Sequence, residues 1–210
     1  MALWLIPSAP VPLPAALLSP EELIAADALA GRRADQYRFT RAWLRRCLSR
    51  HFDRDPGLIP VHAPPGQPAT LDRGWGFVSI SHSHDALALA WSVLPIGIDL
   101  ERSDRSFHAL TLARRFFCRR DLDGLNSMSS KACRSEVLRQ WLAKEAAIKW
   151  QRGSLARDLS AWSWSGNAEV ANHLDHGDRV RIRHYQFGDW QIAVACDVDQ
   201  SGQDLQICLR

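Results

Sequence analysis

Apolar and polar positions along the chain follow two spacings. Alternation with period two predicts strands, and recurrence every three to four residues predicts helices. The expected strands cover residues 3–6, 76–80, 85–93, 97–101, 159–164, 179–187, 190–197 and 205–209. The expected helices cover residues 20–30, 34–50, 107–117 and 134–150. Ser19, Pro20 and Glu22 mark the start of the first helix with a capping box. This mixture of elements indicates an α+β protein.

The order of these elements indicates two similar halves. We expect an N-terminal half at residues 1–100 and a C-terminal half at residues 101–210, each a small, mainly antiparallel sheet packed with helices. The functional site is expected in the cleft between them. Because only three residues separate the strands at 85–93 and 97–101, we also expect these two strands to form an antiparallel hairpin.

Composition narrows the classes of protein. The 210 residues are 46% hydrophobic and 23% charged, which suits a globular protein with a sizeable core. The net charge of +3 is too small to favour nucleic-acid binding, and no apolar run of about 18 residues predicts a membrane span. The five cysteines lack the short spacings of zinc sites and are odd in number, so we expect a cytoplasmic protein without disulfides.

Arginines recur on one side of the second expected helix. They are Arg38, Arg41 and Arg45, with Arg32 and Arg33 close to its start. This basic stripe has two interpretations: a solvated helix face, or a wall that binds anions, since forked guanidinium groups suit phosphate well.

Residues 97–101 carry the most suggestive strand pattern. On a strand, Ile98 and Leu100 face a core, while Asp99 and Glu101 share the other face, roughly 7 Å apart. Two carboxylates held in this way can bind one Mg²⁺, which completes its shell with water and substrate phosphates. The alternative is a solvated acidic face of an antiparallel sheet.

Glu145 lies at the centre of the apolar stripe on the long helix at 134–150. That stripe consists of Leu138, Trp141, Leu142 and Ile148. A buried carboxylate is costly unless it is paired or bound to a metal. Either Glu145 pairs with Lys149 one turn later, at a partly wet helix edge, or it joins Asp99 and Glu101 around Mg²⁺ while Lys149 meets a phosphate oxygen.

Three segments, taken together, resemble the ordered motifs of the 4′-phosphopantetheinyl transferases. They are Val78-Ser79-Ile80-Ser81-His82-Ser83, Gly97-Ile98-Asp99-Leu100-Glu101 and Trp141-Leu142-Ala143-Lys144-Glu145-Ala146-Ala147-Ile148-Lys149. The size and layout are similar to the monomeric class typified by the activator of surfactin synthetase, which implies two similar subdomains arranged as a pseudo-dimer. The resemblance implies transfer of phosphopantetheine from coenzyme A to a serine of an apo acyl or peptidyl carrier protein, with release of adenosine 3′,5′-bisphosphate.

The resemblance also implies roles for individual residues. Asp99, Glu101 and Glu145 bind Mg²⁺, and Glu145, directly or through a metal-bound water, is the base for the incoming serine. Lys149 neutralises charge on the transferred phosphoryl group or on the leaving diphosphate. Ser81 and His82 contact the 3′-phosphate region of coenzyme A. The whole set implied to bind the coenzyme is Arg32, Arg33, Arg38, Ser81, His82, Lys144 and Lys149.

Two further features follow from the same resemblance. Family members often carry a lysine before a proline in the linker ahead of the first motif, where this chain has Gln67; Arg73 is a candidate replacement for its charge. The polar segment 121–131 corresponds to the region that docks carrier proteins. Phe116, Phe117 and Leu122 either present an apolar contact to the carrier or pack inside the half.

Two other functions remain open from the residues. One is a different Mg²⁺-dependent phosphoryl or nucleotidyl enzyme with water or a small molecule as acceptor. The other is a non-catalytic module that binds coenzyme A or a carrier, although such a module does not need the full set of acids and Lys149. The pathway, whether fatty-acid, polyketide or nonribosomal-peptide synthesis, is left open. Because the two halves are fused, we expect a monomer.

Overall fold

The chain folds into interspersed helices and strands, which a computed structural model describes at residues 1–7, 17–83, 85–165, 168–199 and 206–209. The helices are α1 (Pro20–Asp27), α2 (Arg32–Phe52), α3 (Ala109–Phe116), α4 (Ser130–Gln151) and α5 (Leu155–Asp158). The strands are β1 (Ala2–Pro7), β2 (Val61–His62), β3 (Thr70–Leu71), β4 (Phe77–Ser83), β5 (Ala86–Ser92), β6 (Ile96–Arg102), β7 (Trp162–Ser163), β8 (Val170–His173), β9 (Arg179–Phe187), β10 (Trp190–Asp197) and β11 (Gln206–Leu209). Residue 205, where the last expected strand begins, lies outside the described residues.

Strand pairing forms two larger sheets and one ribbon. The first sheet has the order β11-β1-β5-β4, in which β11 is parallel to β1 and the other pairs are antiparallel. The second sheet has the antiparallel order β6-β10-β9-β8-β7, and β2 pairs with β3. Both larger sheets pack against helices, which confirms the α+β class. Among the described residues, no helix is both long and apolar enough to cross a bilayer.

The period-two pattern gives each sheet two buried faces. In β1, Trp4 and Ile6 pack with Leu44 and Leu48 of α2, while the alternate residues face the second sheet. The core between the two sheets includes Leu3, Leu5, Ile98, Leu100, Ile192 and Val194. The opposite face of β10 packs against α4. The resulting layers are therefore α2, first sheet, second sheet and α4.

The predicted hairpin between residues 85–93 and 97–101 is wrong. β5 lies between β1 and β4, whereas β6 pairs with β10, so the short connection passes from one sheet to the other. The physical reason is that both strands turn apolar side chains toward the same inter-sheet core, which favours stacking over edge pairing. Strand pairing also does not follow a boundary at residue 100, because β11 returns to the first sheet. The similarity of the two halves stays a prediction.

Helix α4 packs very closely on β6 at Gly97. A Cβ atom at this position would overlap the carbonyl oxygen of Ala146 and lie 2.5 Å from the backbone nitrogen of Trp150. Glycine is therefore needed here for close approach of the two backbones. Since Glu145 and Lys149 flank this contact on α4, Gly97 sets how near they lie to the acidic residues of β6.

Gly97→Ala should lower the free energy of unfolding by about 2–3 kcal/mol, because the added methyl group must push α4 away from β6. Denaturant unfolding of the purified variant measures the loss. Gly57→Ala is the matched control, since a Cβ there meets only the carboxylate of Asp55, at 3.1 Å. Equal effects of the two substitutions would contradict the close-packing explanation.

Candidate active site

Edge strands β4 and β6 belong to different sheets and are joined by serine side chains. The backbone N–H of Ile98 donates to Ser79 Oγ at 3.1 Å, and the N–H of Leu100 donates to Ser81 Oγ at 3.2 Å. The serines occupy alternate positions of β4, so their hydroxyls lie on the side that meets β6. We call this junction the serine seam, comprising Ser79, Ser81 and Ser83 with the residues of β6 that they contact.

The serine seam also orients the two carboxylates of β6. Ser81 Oγ donates to Asp99 Oδ1 at 2.7 Å, and Ser83 Oγ donates to Glu101 Oε2 at 2.7 Å. The Asp99 side chain is only 5% exposed. The other oxygen of Glu101 accepts a hydrogen bond from Arg105, in the turn after β6.

Helix α4 adds a lysine and a third carboxylate. Lys149 Nζ donates to Asp99 Oδ1 at 2.6 Å and to Ser81 Oγ at 3.0 Å, and it lies 3.9 Å from Glu145 Oε2. The pKa of Glu145 is raised to about 8, mainly by burial and then by the charge of Asp99, while Glu101 adds to the rise and Lys149 opposes it. One ammonium group therefore does not balance the negative charge buried here.

The side-chain chemistry of Asp99, Glu101 and Glu145 suits a divalent cation. Carboxylate oxygens are the donors that Mg²⁺ prefers, and the raised pKa of Glu145 shows that additional positive charge would be favourable. Within the described residues, however, no group of three His, Cys, Asp or Glu side chains is arranged to hold a metal ion. The predicted roles of Asp99, Glu101 and Glu145 as metal ligands stay predictions.

A cavity of about 610 Å³ adjoins this acidic cluster. It lies between α2, the loop at 65–69, β4 and the C-terminal end of α4. Its charged lining residues are Arg33, Arg41, Lys149 and Arg152, and none of its described lining residues is Asp or Glu. Lys149 therefore connects an anion-attracting cavity to the buried carboxylates.

His82 lines the same cavity. Its Nε2 lies 2.6 Å from Thr40 Oγ1, and the Thr40 hydroxyl donates its proton to the carbonyl of Gln36 at 2.7 Å. Thr40 must then accept from His82, which places the His82 proton on Nε2. Desolvation, followed by the positive charges of Lys149 and Arg41, lowers the pKa of His82 to about 4. The ring is thus neutral near pH 7.

The basic stripe of α2 is divided among three environments. Arg38 pairs with Asp27 at 2.6 Å, and Arg45 forms a buried ion pair with Glu22 at 2.6 Å. The same Glu22 closes the predicted capping box with Ser19, which is confirmed. Arg41 alone of the stripe's three helical arginines borders the cavity.

Several residues predicted to bind coenzyme A do not line the cavity. Arg32 is exposed at the start of α2, Arg38 is directed to Asp27, and only their neighbour Arg33 borders the cavity. The hydroxyl of Ser81 is buried in the serine seam. Helical spacing identified a common face, but it could not show which partners each side chain would meet.

Lys144 is buried on a different face of α4 from Lys149. Its side chain is 0% exposed, and its Nζ donates to the carboxylate of Asp121 and to the carbonyl oxygens of Leu159 and Trp162. The structure therefore places Lys144 inside the protein, where it cannot contact a ligand in the cavity. Its position one residue before Glu145 rotates it by about 100° around the helix.

The segment predicted to dock carrier proteins is partly interior. Asp121 is buried, forms an ion pair with Lys144 and accepts a hydrogen bond from Ser163 Oγ at 2.8 Å. Phe117 is 6% exposed and packs in a core cluster with Leu125. Phe117 therefore belongs to the interior, which was the second interpretation given for it.

Lys144→Ala should reduce the free energy of unfolding by about 3–5 kcal/mol, because it leaves the Asp121 carboxylate buried without its partner. If the protein binds coenzyme A, as the resemblance implies, the folded fraction of this variant should bind it as tightly as the original protein does. Denaturant unfolding and calorimetric titration measure the two quantities. A loss of affinity without a loss of stability would instead show that Lys144 contributes to the binding of coenzyme A.

Glu145→Gln should change the pH dependence of stability in metal-free buffer. Since the folded-state pKa of Glu145 is raised from 4.5 to about 8, the stability that its protonated form provides is present below pH 4.5 and lost as pH rises toward 8. At pH 8 the variant should therefore melt about 2–5 °C higher than the original protein, with little difference near pH 4.5. Thermal unfolding across this range measures the difference, and Glu136→Gln, on the same helix, is the control expected to show no such trend.

Comparison with known proteins finds one family domain and one similar protein. Residues 95–195, which include Asp99, Glu145 and Lys149, match the 4′-phosphopantetheinyl transferase superfamily. A protein of Synechocystis sp. named "Putative 4′-phosphopantetheinyl transferase" is 31% identical over 156 residues, which cover 70% of this chain and 63% of that relative. The chain thus spans just under two thirds of the length of this curated relative. Residues 95–195 therefore form a domain of the 4′-phosphopantetheinyl transferase superfamily.

Proposed function

We propose that this protein transfers 4′-phosphopantetheine from coenzyme A to a serine of an apo acyl or peptidyl carrier protein. The observation that carries the proposal is the position of Lys149. It borders a cavity whose charged lining residues, among those the structure describes, are all basic, and it also contacts buried Asp99. A polyanionic ligand in the cavity would therefore extend to the carboxylates. The superfamily domain at residues 95–195 supports coenzyme A as that ligand.

Mg²⁺ is the cation that these carboxylates would hold. Asp99 and Glu145 offer the most enclosed oxygens. Glu101 can join them if its oxygen binds the cation in place of the hydrogen bond from Arg105. When bound, the ion would neutralise the diphosphate of coenzyme A and so lower the barrier to nucleophilic attack. Lys149 supplies a second positive charge at the same place.

The residues of this chain then account for the proton transfer and for the bonds that form and break. The serine oxygen of the carrier attacks the phosphorus that bears pantetheine, and Glu145 accepts the hydroxyl proton. A nearby positive charge lowers the pKa of a carboxyl group, so the cation and Lys149 would favour the ionised form of Glu145, which can accept the proton. The bridging P–O bond breaks, and adenosine 3′,5′-bisphosphate leaves with its new charge next to Lys149. Positioning and electrostatic stabilisation provide the acceleration.

One chain supplies every wall of this site. Residues of α2 and β4 form one side of the cavity, and the end of α4 forms the other. We therefore infer that a monomer is sufficient for the reaction. The odd number of cysteines, without short spacings between them, favours the cytoplasm as its location.

Incubation with coenzyme A, Mg²⁺ and a panel of apo carrier proteins tests the proposal. We expect at least one carrier to gain the mass of one phosphopantetheine group, as measured by intact mass spectrometry, and EDTA to abolish the gain. Lys149→Ala should slow the transfer by about 100-fold or more, because it removes a charge that stabilises the leaving group. Lys131→Ala, an exposed lysine at the other end of α4, is the matched control.

Two outcomes would contradict the proposal. Cleavage of coenzyme A without modification of any carrier would indicate a phosphoryl enzyme with a different acceptor. Tight binding of coenzyme A with neither cleavage nor transfer across a broad panel would indicate a binding module.

A further inference from the structure

Arg105 is the side-chain cation that Glu101 meets in the structure. Its guanidinium donates to Glu101 Oε1, while Ser83 Oγ donates to Glu101 Oε2 at 2.7 Å. Both oxygens of this carboxylate thus have a partner, and one of the partners is charged. Asp99 and Glu145, in contrast, have Lys149 as a nearby cation. Two cations of the chain itself therefore balance part of the charge of the three carboxylates.

A divalent cation and the guanidinium of Arg105 compete for Glu101. Mg²⁺ binds carboxylate oxygens at about 2.0–2.1 Å, so the ion would lie very close to a guanidinium on the same carboxylate. Like charges at such a separation repel each other strongly where water is scarce, and the Glu101 side chain is only 18% exposed. Arg105 must consequently leave Glu101 before this carboxylate can complete a metal site.

The surroundings of Arg105 allow it to leave. Its side chain is 42% exposed, and it lies between β6 and α3, outside any helix or strand. It borders a second cavity, of about 590 Å³, whose described lining residues are all polar or charged. The ring of Phe107, 5.9 Å from the guanidinium, offers a cation–π contact that does not need the carboxylate. A half-exposed ion pair contributes little to stability, so its release costs little.

Arg102, three positions earlier, differs in its partners. It donates to both carboxylate oxygens of Asp104, at 2.7 and 2.6 Å, and it lies 3.3 Å from Asp189 and 3.6 Å from Asp85. These aspartates fix Arg102 as part of the scaffold. The acidic partner of Arg105, in contrast, is a carboxylate of the reaction site.

We propose that Arg105 is a displaceable counter-ion, which occupies Glu101 in the metal-free protein and gives up this position when Mg²⁺ binds. This inference rests on the proposed role of Asp99, Glu101 and Glu145 in holding the ion. The apparent affinity for Mg²⁺ is then the intrinsic affinity multiplied by the fraction of molecules in which Glu101 is free. Ser83 keeps its hydrogen bond to Glu101 in both states, so the carboxylate stays in place. Arg105 thus stabilises the metal-free form and opposes binding of the ion.

Titration of Mn²⁺, followed by electron paramagnetic resonance, tests the inference on the protein alone and with coenzyme A, and calorimetry repeats it with Mg²⁺. Arg105→Gln should bind either ion about 3- to 10-fold more tightly than the original protein, because the competing charge is gone. Arg115→Gln, which removes an exposed arginine from α3, is the matched control and should change the affinity by less than about 2-fold.

A double-mutant cycle identifies Glu101 as the point of competition. Glu101→Gln should weaken metal binding, since it removes a ligand. In this background Arg105→Gln should change the affinity by less than about 2-fold, because Arg105 no longer blocks a ligand. Arg105→Lys, which keeps the charge, should stay within about 2-fold of the original protein.

Thermal unfolding gives a second readout that needs no coenzyme. In metal-free buffer Arg105→Gln should melt about 1–3 °C below the original protein, because Glu101 loses its counter-charge beside two other carboxylates. Saturating Mg²⁺ should remove or reverse this difference, since the ion replaces the lost charge and binds the variant more tightly. An arginine with a purely structural role would lower the melting temperature equally with and without Mg²⁺.

The outcomes separate this inference from the proposed function. Equal metal affinities of the original protein and Arg105→Gln, or an equal tightening when Glu101 is already Gln, overturn the role of Arg105 and leave transfer to carriers unaffected. Unchanged metal binding by Glu101→Gln would overturn it too, because Glu101 would then not be a ligand. If the original protein binds neither Mn²⁺ nor Mg²⁺, with or without coenzyme A, the proposed metal-dependent transfer is overturned together with this inference.

Discussion

The serine seam is the interaction on which the site depends. Two sheet edges meet at β4 and β6, and each edge carries backbone groups that need partners when buried. Serine hydroxyls meet this need because one oxygen can accept from a backbone N–H and still donate its own proton. Ser81 does both, to Leu100 and to Asp99, and it also accepts from Lys149. The contact that joins the sheets thus also fixes the carboxylate at which α4 docks.

The same packing concentrates charge where water is largely excluded. Gly97 lets α4 approach closely enough for Lys149 to reach Asp99, and this approach leaves Glu145 buried beside other carboxylates. The pKa of Glu145 is raised, and two nitrogen atoms of Arg41 have no hydrogen-bond partner among the described residues, so buried charges of both signs are incompletely compensated. The fold holds uncompensated negative and positive groups at neighbouring positions, at a cost in stability that a cation and a polyanion together would offset.

Local patterns predicted this site better than they predicted the topology. Alternation at 97–101 correctly placed Ile98 and Leu100 toward a core and Asp99 on the other face, and the interruption of an apolar stripe pointed to Glu145. The hairpin was wrong because a short connection can join stacked sheets as well as neighbouring strands. The resemblance implied that Lys144 binds coenzyme A, but its ammonium group is buried in an ion pair with Asp121, 23 positions away, which no local pattern could predict.

The arginines of α2 show what only the tertiary structure could supply. Arg38, Arg41 and Arg45 share one stripe and look equivalent in sequence, yet α1 provides acidic partners for two of them, Asp27 and Glu22. Arg45 becomes part of the scaffold, because it also donates to the carbonyl oxygens of Pro56 and Ile59. Helix α1 therefore determines which cation stays available to the cavity. Specificity for an anionic ligand can thus depend on a short helix that lines no part of the cavity.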